Sequence, residues 1–190
     1  MLGLGNPGAE YAGTRHNVGA EVVAHLADRF ASGLSIAKKE QALVAELRVP
    51  GHEAPVVVAF PQTYMNDSGR AAAALVTRYG IDDPSRIAAV HDELDLDPGV
   101  LKLKSGGGFA GHNGLKSLRQ HLGTAEFARI RIGVGRPPRP GAGAAWVLKR
   151  PTAADRTELD IVVREAADAV VDLADHGIDE AMNRWNGRSR

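Results

Sequence analysis

The chain has 190 residues, of which 44% are hydrophobic and 24% are charged, and its formal net charge at pH 7 is +0. This composition is typical of a globular protein with a full core, and the length favours a single domain over residues 1–190. No apolar run has transmembrane length and no signal-peptide pattern is present, which, in a chain without cysteine, predicts a cytoplasmic protein with no disulfide, thiolate nucleophile or zinc–cysteine site.

The neutral total hides an uneven distribution of charge. Residues 101–150 carry ten basic side chains against the single acid Glu126, whereas residues 151–180 carry nine acids against Arg156 and Arg164. A basic middle segment favours a polyanionic partner such as a nucleic acid. Solvated helix faces also carry such runs, so charge alone leaves both interpretations open.

Helix and strand patterns alternate along the chain. Helical spacing of apolar residues begins at Val18. An alternating pattern over residues 42–49 and a continuous apolar run over residues 55–60 predict two neighbouring strands. The other predicted elements are a helix from Ser68 to Tyr79 capped by Ser68, strands at 86–92 and 100–104, a helix at 115–122, a strand at 128–135, a long helix at 153–174 and a short one at 179–185. This order predicts a single-domain α/β/α sandwich around a twisted, mixed β-sheet.

The segment NPGAEYAGTRHN, from Asn6 to Asn17, ends on an arginine, a histidine and an asparagine just before the first helix. By itself it suits either a routine helix start or a reaction centre. The preceding GLGNPG at residues 3–8 matches the dinucleotide pattern G-x-G-x-x-G. We reject a nucleotide site because no helix opens directly out of it, and we interpret the segment as a short first strand followed by a tight turn at Pro7 and Gly8 that presents the Asn6 amide outward.

A second polar loop, PQTYMNDSG, follows the strand predicted at 55–60. Asn66 in this loop is either a turn asparagine bonded to its own backbone or a ligand-binding amide. Tyr64 and Met65 beside it would suit a wall for a variable apolar ligand.

His91 and Asp92 end the buried strand predicted at 86–92, and the tips of strands are where α/β proteins place ligand groups. The acids that follow, up to Asp97, raise the question of a metal. They alternate with leucines, and the chain has neither an H-E-x-x-H nor a calcium-loop pattern, so we predict no metal.

The segment SGGGFAGHNGL at residues 105–115 is a glycine-rich loop that enters a helix at His112 and Asn113. It lacks the G-K-[S/T] ending of a phosphate-binding loop. Its backbone could bind an anion or an oxyanion, or Asn113 could simply cap the helix. Because the chain also lacks a G-x-S-x-G elbow, its amides, histidine and aspartate suit the activation of water better than an acyl-enzyme.

Four segments in this order resemble the signature blocks of the bacterial peptidyl-tRNA hydrolase family, and the similarity extends over nearly the whole chain, including RIRIGVGRP. The four blocks are GLGNPGAEYAGTRHN, PQTYMNDSG, VHDELDLDPG and GHNGLKS. The resemblance implies an enzyme, without a cofactor, that hydrolyses the ester between a peptide and the 3′-ribose of tRNA and so recycles tRNA during translation. It also implies a monomer that contacts the acceptor stem, the 5′-phosphate and the 3′-CCA end.

The resemblance also implies roles for individual residues. His16 matches the family's general base, Asp92 the aspartate that orients it, and Asn6 the residue that distinguishes N-blocked from free aminoacyl-tRNA. Positions that match substrate contacts are Tyr11, Tyr64, Met65, Asn66 and Asn113, and positions that match the grip on the tRNA 5′-phosphate are Lys104 and Arg131, with Lys102 as their neighbour.

Two other functions stay open on the residues alone. An RNA-binding module without turnover would use the basic segment and would not need His16. A metallohydrolase would use side chains from three of the motifs, namely His16, His91, Asp92 and His112.

Overall fold

A computed structural model describes residues 1–188, and its strands alternate with helices as the sequence predicts. The elements in chain order are β1 (Leu2–Gly3), α1 (Val18–Arg29), β2 (Ser35–Ala37), β3 (Ala42–Leu47), β4 (Val56–Pro61), α2 (Ser68–Tyr79), β5 (Ala88–Glu93), β6 (Leu101–Ser105), α3 (Asn113–Leu122), β7 (Ala128–Gly133), α4 (Gly143–Val147) and α5 (Ala153–Asn186).

The seven strands form one sheet in the order β2-β3-β4-β1-β5-β7-β6. Strand β1 pairs in parallel with β4 and β5, and β5 pairs in parallel with β7. The pairs β2–β3, β3–β4 and β6–β7 are antiparallel, so the predicted mixed sheet is confirmed. The carboxyl ends of β1, β4, β5 and β7 consequently lie at the same edge of the sheet.

Helices cover both faces of this sheet, which confirms the predicted α/β/α sandwich. One core lies between the sheet and helices α1 and α5, and the other lies between the sheet and helices α2 and α3. Strand β5 is covered on both faces and all six of its residues are buried: the first three are apolar, and the last three are His91, Asp92 and Glu93. Within residues 1–188 no helix combines the length and the apolar character needed to cross a membrane.

Two elements were not predicted. Strand β2 is a three-residue edge strand whose Ile36 is exposed, so it shows no inward–outward alternation. Helix α4 begins in the segment GRPPRPGAGAA, residues 135–145, whose glycines and prolines predict an exposed loop, and it extends two residues beyond that segment. Both are too short for a periodic pattern to identify.

Two predicted helix caps are wrong by one residue. Ser68 is the first residue of α2 rather than its cap, and its hydroxyl donates to the carbonyl of Met65 at 2.9 Å. The cap of α3 is His112 rather than Asn113, because the His112 Nδ1 atom accepts from the backbone N–H groups of Gly114 and Leu115. An imidazole nitrogen here replaces the oxygen of the usual capping residues.

The predicted helices at 153–174 and 179–185 are the two arms of α5, which bends at Gly177 where the backbone adopts φ 78° and ψ 174°. The second arm returns to the sheet and ends at Asn186. There the Asn186 Oδ1 atom accepts from the N–H of Leu103 at 2.7 Å and its Nδ2 group donates to the Leu103 carbonyl at 3.0 Å. Leu103 belongs to β6, the strand at one edge of the sheet.

Helix α1 lies unusually close to the sheet because glycines face each other across the contact. A Cβ atom on Gly19 would lie 2.4 Å from the Val90 carbonyl oxygen and 2.5 Å from the Leu4 nitrogen. A Cβ atom on Gly3 would lie 2.1 Å from the Gly19 carbonyl oxygen. This approach fixes the start of α1, and therefore the residues before it, against the ends of β1 and β5.

Replacing Gly19 with alanine should destabilise the protein by about 1–3 kcal/mol, because the added methyl group cannot fit without separating α1 from the sheet. Urea unfolding at equilibrium measures this change. Gly33→Ala is the matched control, since no atom lies within 4 Å of its added methyl group and its stability should stay within about 0.5 kcal/mol of the parent. Equal stability of the two variants would contradict the close packing of α1.

Candidate functional site

The main cleft of the molecule, with a volume of about 600 Å³, opens at the carboxyl edge of the parallel strands. Side chains from the four signature blocks meet in it although they are far apart in sequence. Its polar lining comprises Asn6, His16, Tyr64, Asn66, His91, Asp92, Glu93, His112 and Asn113, and its apolar lining includes Met65, Leu94, Phe109, Val147 and Leu148. Seven of the residues implied by the resemblance therefore share one cavity.

The three consecutive residues before α1 form a single 3₁₀ turn and make three different contacts. Arg15 is buried, and its guanidinium lies 3.8 Å from the centre of the Trp146 ring and 3.0 Å from the Asp155 carboxylate. These contacts hold α4 in place as one wall of the cleft. Asn17 exchanges two hydrogen bonds with the Asn6 backbone, at 2.9 and 2.8 Å, which fixes the turn after β1.

The middle residue of that turn, His16, bonds to Asp92. The Nδ1 atom of His16 lies 2.8 Å from the Oδ1 atom of Asp92, and the Nε2 atom of His112 lies 3.0 Å from the same oxygen. Asp92 is 4% exposed, so this carboxylate is removed from solvent and held between two imidazoles.

The bonds around His112 determine where the protons are. His112 Nδ1 accepts from two backbone N–H groups, so in the neutral ring the proton is on Nε2, which donates to Asp92. An ionised Asp92 can only accept, so His16 must donate through Nδ1. The Nε2 atom of neutral His16 therefore keeps its lone pair, and it is the nitrogen that can take a proton.

Asp92 is ionised in this environment. Burial alone would raise the pKa of its carboxyl group, but the charges and hydrogen bonds of His112 and His16 outweigh burial and hold that pKa well below its usual range. The carboxylate therefore remains an acceptor for both imidazoles at neutral pH.

His91, the residue before Asp92, is a buried neutral base. Its Nδ1–H donates to the Asp92 carbonyl at 2.7 Å, and its ring meets that of His112 edge-on at 5.0 Å. Its buried Nε2 atom has no hydrogen-bond partner among residues 1–188. Burial, reinforced by the nearby His112, lowers the pKa of His91 from 6.5 to about 3.

His16, Asp92 and His112 also form the kind of cluster that could hold a metal, since their candidate ligand atoms lie within 4.8 Å of one another. The capping role of His112 opposes this use. Because its Nδ1 accepts two N–H bonds, its Nε2 carries the proton and has no lone pair for a metal. His91, the fourth member of the metal hypothesis, directs its Nδ1 to a backbone carbonyl.

Asn6 is not presented outward as predicted. It is 7% exposed, and its Oδ1 atom accepts from the Met65 backbone N–H at 2.8 Å. The turn is held from two sides, by Asn17 and by the loop after β4. The Nδ2 group of the same side chain has no hydrogen-bond partner among residues 1–188, so Asn6 can act toward a ligand as a donor.

The predicted substrate contacts lie around this centre. Asn66 and Asn113 are exposed at the rim of the cleft, and Met65 is buried in its floor. Tyr64 is 60% exposed and meets the Tyr11 ring edge-on at 6.5 Å, so Tyr11 supports the wall from behind rather than lining it. An exposed aromatic ring such as that of Tyr64, beside buried polar groups, suits a ligand with an apolar part.

The predicted basic residues lie beside the cleft rather than in it. Lys104 and Arg131 line an adjoining cavity of about 200 Å³. Arg131 is held by Glu93, whose Oε2 atom lies 3.1 Å from its guanidinium. Lys102 donates to the Asn186 backbone carbonyl and does not line this cavity.

Sequence reasoning missed three contributors to this site. His112 was recognised only as a helix entry or a metal ligand, Arg15 as part of a turn, and Glu93 as one acid of a run. The spacing of His112 two residues before a glycine at a helix start was a usable signal for a cap. No local pattern could reveal the contact of Arg15 with Trp146.

An imidazole that donates to a buried carboxylate and keeps its second nitrogen open to a cleft is suited to acid–base chemistry on a bound ester or amide. Among residues 1–188, those lining the cleft include no serine, threonine or cysteine that could serve as a nucleophile. The fold and the cleft thus define an α/β enzyme of the hydrolase class. The chain belongs to the peptidyl-tRNA hydrolase family, whose sequence profile matches residues 1–190.

Individual relatives support this assignment and confirm the resemblance read from the motifs. The peptidyl-tRNA hydrolase of Cutibacterium acnes is 47% identical over 194 residues, covering 98% of this chain and 96% of the relative. That of Mycolicibacterium smegmatis is 48% identical over 183 residues, covering 96% and 94%. The crystal structure of peptidyl-tRNA hydrolase from Acinetobacter baumannii superposes with a TM-score of 0.91 at 37% identity, covering 99% of this chain and 94% of that one.

The lowered pKa of His91 predicts a pH-dependent stability. In the unfolded chain His91 becomes protonated below its ordinary pKa of 6.5, whereas in the folded protein His91 stays neutral down to its lowered pKa of about 3. The free energy of unfolding should therefore decrease as the pH falls, by up to about 1.4 kcal/mol per pH unit from this one proton. Asp92 adds to the loss only below the ordinary carboxyl pKa of 3.8.

Urea unfolding of the parent protein and of His91→Asn between about pH 5.5 and 4.5 measures this term. Asparagine does not titrate, so the variant should show the shallower pH dependence whatever its stability at neutral pH. Equal slopes would mean that His91 takes up its proton in the folded protein.

Proposed function

We propose that the chain hydrolyses the ester bond that joins a peptide, or an N-blocked amino acid, to the 3′-ribose of tRNA. The observation that carries this proposal is the His16–Asp92 pair at 2.8 Å, open to the cleft, in a member of the peptidyl-tRNA hydrolase family. Water attacks the ester carbonyl while the Nε2 atom of His16 accepts its proton. The tRNA 3′-oxygen leaves with a proton returned from His16.

Asp92 contributes in two ways to this reaction. Its carboxylate fixes the His16 tautomer that keeps Nε2 free, and its negative charge stabilises the imidazolium formed when the proton arrives. Because Oδ1 also accepts from His112, the carboxylate cannot rotate away from His16 without losing a second bond. The reaction needs no covalent intermediate, since an ester is reactive enough for a directly activated water.

The amides around the pair hold the substrate. The free Nδ2 group of Asn6 can donate to the carbonyl of the peptide or N-blocking group, and the rim amides of Asn66 and Asn113 can orient the ester and its developing oxyanion. Tyr64 and Met65 provide apolar surface for a variable side chain. An uncharged acyl group matches this lining better than the ammonium of a free aminoacyl ester.

The basic residues extend the site toward the nucleic acid. Lys104 and Arg131 beside the cleft suit the 5′-phosphate at the acceptor stem, while the 3′-CCA end enters the cleft itself. Lys102, the neighbour of Lys104 on β6, is bonded to the Asn186 carbonyl and would have to leave that bond to contact the phosphate. Residues 1–190 act in this proposal as one cytoplasmic, monomeric peptidyl-tRNA hydrolase domain that recycles tRNA without a cofactor.

A metallohydrolase is the rival that the His16, Asp92 and His112 cluster raises, and an RNA-binding module is the rival that the basic segment raises. The proton on His112 Nε2 disfavours the first, and the open Nε2 of His16 at the floor of a cleft disfavours the second. One assay separates all three functions.

Replacing His16 with alanine should lower kcat at least about 100-fold on N-acetyl-aminoacyl-tRNA with little change in KM, because a general base acts mainly in the transition state. The measurement is release of tRNA by purified protein in the presence of a chelator. His25→Ala, a histidine of α1 outside the cleft, is the matched control and should keep the parent rate.

Added imidazole should restore part of the His16→Ala rate by supplying the missing base. A variant with near-parent turnover would exclude His16 as the base, loss of the parent rate on chelation would favour the metallohydrolase, and tight tRNA binding without release by the parent would favour the binding module.

Asn6→Ala should reduce the selectivity between N-acetylated and free aminoacyl-tRNA. A polar site rejects an analogue that leaves its groups unpaired, and one such buried contact is worth about 1–3 kcal/mol. The measurement is the ratio of kcat/KM for the two substrates, which should narrow by about 5- to 150-fold.

Asn183→Ala removes an exposed amide on the second arm of α5 and should leave that ratio unchanged. If Asn6→Ala slows both substrates equally, the Asn6 side chain supports the loop at Met65 and does not discriminate between acyl groups.

A further inference from the structure

The glycine segment between β6 and α3, residues 106–111, has few backbone bonds of its own. Gly106, Gly107, Ala110 and Gly111 all have positive φ, a conformation that is unfavourable for alanine. The backbone bonds at its ends run from Gly106 to Phe127 at 3.2 Å and from His112 to Phe109 at 2.7 Å. Its middle residues therefore depend on side chains from elsewhere.

Arg129 on β7 supplies that support. It is 2% exposed, and its guanidinium donates through Nη1 to the Gly108 carbonyl and through Nη2 to the Gly107 carbonyl at 2.7 Å. The same group lies 5.1 Å from the Phe109 ring and 5.2 Å from the Phe127 ring. One cation thus holds two consecutive carbonyls and an aromatic side chain of the segment.

The held segment leads directly into the catalytic centre. Phe109 lines both the main cleft and the smaller basic cavity, so it separates the two. His112 and Asn113 follow within two residues of the segment's end, and His112 must stay 3.0 Å from the Asp92 carboxylate. Displacement of the segment would move the second imidazole that holds Asp92.

We propose that Arg129 is a positioning residue for catalysis, which acts through residues 106–111 to hold His112 against Asp92 and Asn113 at the rim of the cleft. The inference rests on the proposed function and adds to it a residue outside the main cleft. Arg129 makes no contact with the reacting atoms, and its effect is transmitted through the backbone that it binds.

Phosphate binding by Arg129 is the competing interpretation, because it neighbours Lys104 and Arg131. Burial and bonding distinguish Arg129 from Arg131. The Arg131 side chain is 25% exposed and is held by one carboxylate, whereas Arg129 is 2% exposed and both of its terminal nitrogens are bonded to carbonyls. A phosphate could engage Arg129 only by breaking those bonds. The position of Arg129 therefore favours an internal anchor.

Arg129→Met tests this, because methionine keeps the apolar contacts with both rings and loses the two donors. Arg129→Lys keeps the charge but lacks the fork that binds both carbonyls. Gly107→Ala disturbs the same segment from its exposed side, since its added methyl group would lie 2.7 Å from the Lys104 side chain at a φ of 94°. Arg136→Met, at an arginine that is 75% exposed, is the matched control for loss of an arginine.

Two substrates separate positioning from phosphate binding: N-acetyl-aminoacyl-tRNA, and a short 3′-terminal fragment of it that lacks the 5′ end. For Arg129→Met we expect kcat to fall at least about 10-fold on both substrates, with KM changed less than about 3-fold, because the defect lies in the catalytic centre. The kcat values of Arg129→Lys and Gly107→Ala should lie between those of Arg129→Met and the parent, and the kcat of Arg136→Met should equal that of the parent. Unchanged kcat, or a KM defect confined to the tRNA, would overturn the proposal.

Amide exchange measured by NMR supplies a readout that does not depend on activity. Exchange at the His112 N–H measures the opening of its bond to Phe109 at the end of the glycine segment, and exchange at the Gly114 and Leu115 N–H groups measures the opening of the His112 cap. Exchange at the N–H of Ile130, which is buried, measures the opening of the core. We expect faster exchange in Arg129→Met at the first three amides only. Equal acceleration at Ile130 would reduce Arg129 to a general stabiliser of the fold, and absence of hydrolysis by the parent would reject the proposed function while the exchange result still decided the anchoring role.

Discussion

The site depends on one oxygen atom, Oδ1 of Asp92, which accepts from His16 and His112 together. The two histidines come from different segments, one from the turn before α1 and the other from the cap of α3. A buried carboxylate is costly unless its charge is compensated, and these two imidazoles provide that compensation. The hydrogen bonds to Asp92 therefore hold the N-terminal ends of α1 and α3 beside the end of β5. They also give each imidazole a defined tautomer.

The sheet makes this arrangement possible. Strands β1, β4 and β5 are parallel neighbours, so the segments that follow them leave the sheet at the same edge, next to the place where β1 is flanked by β4 on one side and β5 on the other. Ligand sites of open α/β sheets form at such positions. Asn6, the loop at Met65 and Asp92 accordingly meet without any long connection. The close packing of Gly19 against β1 and β5 fixes the start of α1, and with it His16, at the same place.

Elements with a long periodic pattern could be predicted from sequence, and elements that depend on tertiary contacts could not. Helix α1 begins at Val18 as its apolar spacing indicates, and the four signature blocks identify His16 and Asp92 as a pair. Strand β2 and helix α4 are too short for periodicity. The orientation of Asn6 depends on the N–H of Met65, which is 59 residues away, and the cap of α3 uses a histidine where small polar residues are the usual choice.

The bonds between Asn186 and Leu103 have a consequence for association between molecules. Strand β6 lies at an edge of the sheet, and an open edge can add a strand from another chain. The carboxamide of Asn186 imitates a peptide group and occupies one donor and one acceptor of that edge. The last turn of α5 thereby opposes the addition of a strand from another molecule at this edge. A chain shortened so that it lacks Asn186 would expose the backbone groups of Leu103, on the strand that carries Lys102 and Lys104, to such pairing.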